Sequence, residues 1–388
     1  MRIGAPETPA LLAMQTIHAI QYLRAVAAIL VVLLHNSIEI RDFNTGFPVF
    51  HDGAFGVDIF FVISGFIMWT ISTMRPQTPL RFLENRIIRI VPIYWLLTIV
   101  TVLVSTDGGL SIAADIDWGR ALRSLFFIPE WHPTYPMAAP VMFVGWTLNL
   151  EMAFYLLFAL ALFLPPRWRL PTMLFVLCAF ASARLVIGEP QQAALNLYTY
   201  SVVGEFGLGM LLGSVYGHRT MLGRGGNAHI FGPSAVLLGL GILASKAIMP
   251  EARILYYGLP ALLIVCGVLL WEPIIARRPL PLLIMLGDAS YSIYLTHIMA
   301  LAISQKLIGA WLAADWPFVA LFAQTLFAVI VGVVVHLAVE KPLTAGAKKL
   351  VSRPTQRTSF PRSARASNLR TSDRRYFDPA TLQTTRDS

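Results

Sequence analysis

The chain alternates long apolar runs with short polar connections. A bilayer-crossing helix needs about twenty apolar residues, and the runs at 18–38, 54–73, 87–104, 145–164, 171–187, 196–216, 230–248, 254–271, 282–304 and 317–339 meet that need, predicting ten spans. The predicted fold class is all-α: a polytopic helical membrane bundle over 18–344. A short segment, 1–17, precedes it, and a tail, 345–388, shifts to Ser, Thr and Arg with few large apolar residues. Such a tail is expected to be disordered and to lie near anionic lipid headgroups. The first sixteen residues, with Pro6 and Pro9, lack a basic start, apolar core and small-residue cleavage site, so the first membrane helix is expected to direct insertion.

Composition agrees with a membrane class. Hydrophobic residues make up 56% and charged residues only 13%, against about a quarter charged in soluble domains. The formal charge of +9 suggests nucleic acid until it is located: 345–388 holds ten Lys/Arg against three Asp, so +7 belongs to the tail. The body is near neutral, which leaves membrane lipids rather than nucleic acid as the partner. Cys178 and Cys266 lie in apolar runs and read as small core hydrophobes, with no pair, metal site or redox motif. An even span count puts both termini on one side. Arg75, Arg81, Arg86, Arg89, Arg167, Arg169, Arg219, Arg224, Arg277 and Arg278 in the short inner loops make that side cytoplasmic; the longer outer connections and adjacent helix ends carry seven, Arg41, Arg120, Arg123, Arg184, Lys246, Arg253 and Lys306, of which Arg184 and Lys246 narrow the margin.

Polar groups inside the apolar runs are the candidates for chemistry, because a charged side chain in a bilayer costs several kcal/mol and persists where it faces a cavity or partner. Arg24 and His35 bracket ten apolar residues, Ala25 to Leu34. Eleven residues is close to three turns, so both lie on one helix face, about 16 Å apart. The alternative is that Arg24 snorkels to one headgroup layer and His35 to the other. Arg86 and Arg89, three apart, share a face at the inner end of the third span. Alone they fit the positive-inside pattern; with Arg24 at the same depth they form a clamp for phosphates.

The outer half carries the acids and bases. Asp58 stands just inside the second span, where a helix N-terminus tolerates an acid or where it orients a neighbouring His. Glu151 and Tyr155 lie four apart on the fourth span, as a general acid or base or as one half of a packing ion pair. Trp146 opens that span, and Ser290, Tyr294 and His297 fall near one stripe of the ninth, able to line a polar cavity. Glu205, among Gly204, Gly207, Gly209 and Gly213, reads as close helix packing with a buried polar pair. The longest outer connection, 105–144, holds Asp107, Gly108, Gly109, Asp115, Asp117, Trp118, Trp131, His132, Pro133 and Pro136, a composition that suits either a sugar or the membrane interface.

Several of these residues match one family in order. Arg24 with His35, Gly56-Val57-Asp58 leading to Phe60-Phe61-Val62 and Ser64-Gly65-Phe66, Arg86 and Arg89 with Pro92, Tyr94 and Trp95, Trp146-Thr147-Leu148 with Glu151 and Tyr155, and Ser290-Tyr291, Tyr294-Leu295 and His297 resemble the acyltransferase-3 family of integral membrane proteins. The resemblance covers about 19–342, ending near Glu340-Lys341-Pro342, and is nearest to the exopolysaccharide-production members. It implies transfer of an acyl group, usually acetyl, from cytosolic acyl-coenzyme A to a sugar hydroxyl of a lipid-linked or nascent polysaccharide outside the inner membrane. It implies that His35 is essential and that Arg24, Arg86 and Arg89 hold the donor. His35 would act as base or transient acyl carrier, oriented by Asp58 or Glu151. Some relatives carry an appended extracytoplasmic domain, so this chain is expected to work alone or with polysaccharide assembly machinery. A glycan or lipid transporter also accounts for many spans and buried acids, but not for an inner arginine pair aligned with His35. A non-catalytic assembly protein is the third reading.

Overall fold

Apolar runs too long to stay in water fold here as helices, because only a helix or closed barrel satisfies its own backbone in lipid. The computed structural model describes residues 17–106, 117–217, 228–245, 253–308 and 310–351. In chain order the main helices are α1 His18–Phe43, α2 Phe55–Met74, α3 Pro79–Thr106, the short α4 Trp118–Leu125, α5 Trp146–Ala161, α6 Pro166–Ser182, α7 Gly204–Gly217, α8 Ala228–Ala244, α9 Leu259–Leu270, α10 Pro281–Ile308, α11 Pro317–Val335 and α12 Lys341–Val351. Among the described residues there is no strand, only an isolated bridge between Trp131 and Ala138. The all-α membrane bundle is therefore the fold.

Among the described residues, seven of the ten expected spans are helices long and apolar enough to cross a membrane; the sixth, seventh and eighth are shorter apolar helices, Ser201–Tyr216, Ile230–Ala244 and Ile254–Leu270. The tail boundary at 345 falls inside α12, whose last turn carries Lys348 and Lys349. Residues 1–16 and 352–388, like Asp107, Gly108, Gly109, Asp115, Arg219, Arg224 and Lys246, lie outside the described residues.

Small residues let the central helices approach. A Cβ on Gly65 of α2 would sit 2.0 Å from the Phe206 carbonyl of α7, and one on Gly209 of α7 the same 2.0 Å from the Val62 carbonyl. This backbone-to-backbone packing is how helices associate where lipid removes the hydrophobic drive. Large apolar side chains point the other way, with Phe175, Phe318 and Phe322 each at least 70% exposed, as a lipid-facing surface requires. The start of α1 is tied to the segment between α9 and α10. Glu272 accepts the backbone N–H groups of His18 and Ala19 at 3.0 and 2.7 Å, capping α1, and Leu280 N donates to the Tyr22 hydroxyl at 2.5 Å.

The described part of the connection from α3 to α5, 117–145, is folded around α4. Asp117 caps α4 by accepting Arg120 N, and α4 lies along α3 through Tyr94 Oη donating to Ser124 O (3.0 Å) and Trp95 Nε1 donating to Leu125 O (2.7 Å). Buried Arg120 donates to the Trp131 and Ala139 carbonyls, both at 3.3 Å, and so closes the rest of the loop. His132 has a structural place in it: its Nδ1 accepts the Thr134 and Tyr135 N–H groups at 3.2 Å, and burial beside the Arg120 cation holds its pKa below the ordinary histidine value.

Candidate functional site

Two cavities meet in the bundle. The inner one, about 100 Å³, is lined by Arg24 of α1, Ser64 of α2, Arg86 and Arg89 of α3, Glu151 and Tyr155 of α5, and Ser290 and Tyr294 of α10. Helical spacing delivers these side chains: Arg86 and Arg89 lie one turn apart, and Tyr155 lies one turn beyond Glu151. Glu151 accepts hydrogen bonds from the Tyr155 hydroxyl and from Ser64 Oγ, the latter at 3.3 Å. Arg86 Cζ lies 5.9 Å from the Tyr155 ring and 5.8 Å from the Phe82 ring, so aromatic faces hold the guanidinium. Arg86 Nε and Ser290 Oγ are buried without a protein partner. Three cations with spare donors, facing one cavity, suit a multiply charged anion.

The outer cavity, about 410 Å³, holds His35, with Trp131, Trp146, Arg184, Tyr200 and Arg253 among its walls. Val57 and Tyr294 line both cavities and form the partition between them. Tyr294 is fixed there by its hydroxyl, 2.9 Å from Thr147 Oγ1 and 3.1 Å from the Val144 carbonyl, and by Phe60 edge-on at 5.9 Å.

The geometry defines the tautomer of His35. His297, fully buried, places Nδ1 2.6 Å from the Tyr294 carbonyl, and His35 places Nδ1 2.9 Å from the Val31 carbonyl. A carbonyl only accepts, so each Nδ1 carries the proton. His297 Nε2, 3.2 Å from His35 Nδ1, is then an acceptor for the same N–H. This hydrogen-bond assignment leaves His35 Nε2 as the unprotonated nitrogen, a base or nucleophile.

The acids stand elsewhere than expected. Asp58, fully buried, accepts Arg253 Nε at 3.1 Å and Nη2 at 2.6 Å, and Glu151 turns to Tyr155 and Ser64. His297 is the side chain hydrogen-bonded to His35, so the expectation that Asp58 or Glu151 orients it is corrected. Arg253 reads in the sequence only as a loop charge, and no local spacing links it to Asp58, 195 residues away. Removing one partner of a buried pair leaves an uncompensated charge, so Asp58→Ala is expected to cost about 3–5 kcal/mol of stability. Thermal unfolding in detergent reads this, with Asp58→Ala/Arg253→Met recovering most of the loss. A double variant no more stable than Asp58→Ala would show that the pair is not what Asp58 supports.

The site of this helical membrane protein is thus a cation-lined cavity abutting a histidine cavity. The chain belongs to the Acyltransferase domain family, which matches residues 17–338. It is 39% identical to the exopolysaccharide production protein ExoZ of Rhizobium meliloti (strain 1021), over 75% of this chain and 89% of that one. It is 24% identical to the acyltransferase MdmB of Streptomyces mycarofaciens, over 75% of this chain and 80% of the relative. No solved structure matches the chain. This protein is accordingly a multi-pass membrane acyltransferase.

Proposed function

We propose that the protein moves an acyl group, acetyl in the first instance, from cytosolic acyl-coenzyme A to a sugar hydroxyl of an exported or lipid-linked polysaccharide. In this reading it sits in a bacterial inner membrane with ten spans and both termini inside. One observation carries it: Arg24, Arg86 and Arg89 share a cavity that meets, across Val57 and Tyr294, the cavity of His35. The likeness to a protein named for exopolysaccharide production supports the glycan acceptor.

The donor phosphates dock on the three arginines, and the pantetheine arm reaches past Tyr294 towards His35. Nε2 of His35 takes the proton of the acceptor hydroxyl as its oxygen bonds to the thioester carbonyl carbon. The C–S bond then breaks, and the proton on Nε2 passes to the departing thiolate. His297 accepts from Nδ1–H throughout and steadies the imidazolium that forms, a service to transition-state charge that a preorganised acceptor performs without reorganisation. Ser290 and Tyr155 complete the inner wall, and Trp146 faces the acceptor. If Nε2 instead carries the acyl group for a moment, the same nitrogen and the same tautomer serve.

The donor part is tested by kinetics with radiolabelled acetyl-coenzyme A and purified protein. Arg89→Gln removes a charged contact that ground state and transition state share, so KM for the donor should rise about tenfold with kcat little changed. An unchanged KM in Arg89→Gln and in Arg86→Gln would remove the arginines from donor binding.

A further inference from the structure

The outer cavity contains a second cationic arrangement that donor binding does not use. Arg184 and Arg253 both line it, with their Cζ atoms 5.3 and 5.9 Å from the Tyr200 ring. Neither Asp58 nor Glu205, both fully buried behind that wall, reaches the cavity surface. The cations face the space while the buried acids do not; the acid that does line it is the exposed Glu189.

Each guanidinium is held by one edge. Asp58 takes Nε and Nη2 of Arg253. Thr199 Oγ1 and the Asn196 carbonyl take Nε and Nη2 of Arg184 at 3.4 and 2.5 Å. The Nη1 atoms remain. That of Arg184 lies 3.8 Å from Glu189, whose side chain is 85% exposed, and an ion pair so open to water is readily exchanged. Trp131 and Trp146 line the same cavity and offer amphipathic rings to a sugar.

We propose that Arg184 and Arg253 form an oxyanion site beside His35, making the preferred acceptor an anionic saccharide, with its phosphate or carboxylate on the two guanidiniums and its rings against the tryptophans. The proposal rests on the reading that the His35 cavity is the acceptor side. Fixing both guanidiniums by one edge orients the free nitrogens in advance, which lowers the entropic cost of binding.

The test is binding, measured by microscale thermophoresis on the full chain in neutral detergent. Three probes are compared: a neutral glucose tetrasaccharide, the same tetrasaccharide ending in glucuronic acid, and a polyprenyl-diphosphate-linked glucose. At least one anionic probe should bind about tenfold more tightly than the neutral one, the effect of a charge-assisted contact. Preference for the uronic acid identifies a sugar carboxylate as the ligand group; preference for the diphosphate identifies the carrier. R184Q should abolish most of the preference and R184K retain part of it, with unfolding temperature as the folding control. D58N/R253Q removes the second guanidinium together with its counter-ion. Equal affinity for all three probes, or a preference that survives both R184Q and D58N/R253Q, overturns the proposal. Anion-selective binding without acetyl-coenzyme A turnover would sink the donor reading and leave this site standing; turnover without anion selectivity would do the reverse.

Discussion

His35→Ala is expected to lower acyl transfer by about 10³-fold, within the range that a positioned general base supplies. The variant should still fold, because His35 contributes one backbone hydrogen bond, to Val31, and a contact with His297, rather than a buried charge pair. Donor affinity should be unchanged, since the arginines that line the inner cavity stand apart from it. Transfer from radiolabelled acetyl-coenzyme A to a saccharide acceptor, measured beside the donor Kd, checks both halves. A folded variant with wild-type transfer would exclude His35 both as base and as acyl carrier. In the wild type, label retained on rapidly denatured protein at neutral pH, and lost in His35→Ala, would identify the carrier route.

The second large effect belongs to His297, a positioning residue. Its Nε2 accepts from His35 Nδ1–H, and its own Nδ1–H is fixed on the Tyr294 carbonyl. His297→Ala removes the acceptor that steadies the charged His35 ring. The Val31 carbonyl still holds the tautomer, so the loss should be about 10²-fold in kcat, smaller than the ~10⁴ seen where a triad loses its tautomer. KM for the donor should not move. A packing role alone would not predict rescue by His297→Gln, whose amide oxygen can accept the same hydrogen. If Gln proves no better than Ala, or if KM rises while kcat holds, His297 does not act through His35.

Local spacing made half of this site legible in the sequence. The register between Arg24 and His35, the one-turn offset of Arg86 and Arg89, and the pair Glu151 and Tyr155 all follow from 3.6 residues per turn, and each lines one of the two cavities. Partners across helices left no such mark. His35 meets His297 at a separation of 262 residues, and Asp58 meets Arg253 at 195. Helix neighbours in a bundle are set by packing, here by backbones meeting at Gly65 and Gly209, and periodicity within one helix says nothing of which helix lies opposite. Asp58 therefore read as a histidine's companion when it is an arginine's. The shorter sixth span has a related reason: the run 196–216 is interrupted at 199–200, between the helix Ala193–Tyr198 and the 3₁₀ turn Ser201–Val203, a break that hydropathy alone does not show.

In the proposed transfer an acyl group enters from the arginine side and leaves from the histidine side. Protein reconstituted in one orientation in sealed vesicles, with saccharide acceptor on the His35 side and radiolabelled acetyl-coenzyme A on the other, tests it most directly. Labelled saccharide is expected in the compartment that never contained the donor, and none with His35→Ala. Labelled saccharide only when donor and acceptor share a compartment would contradict it.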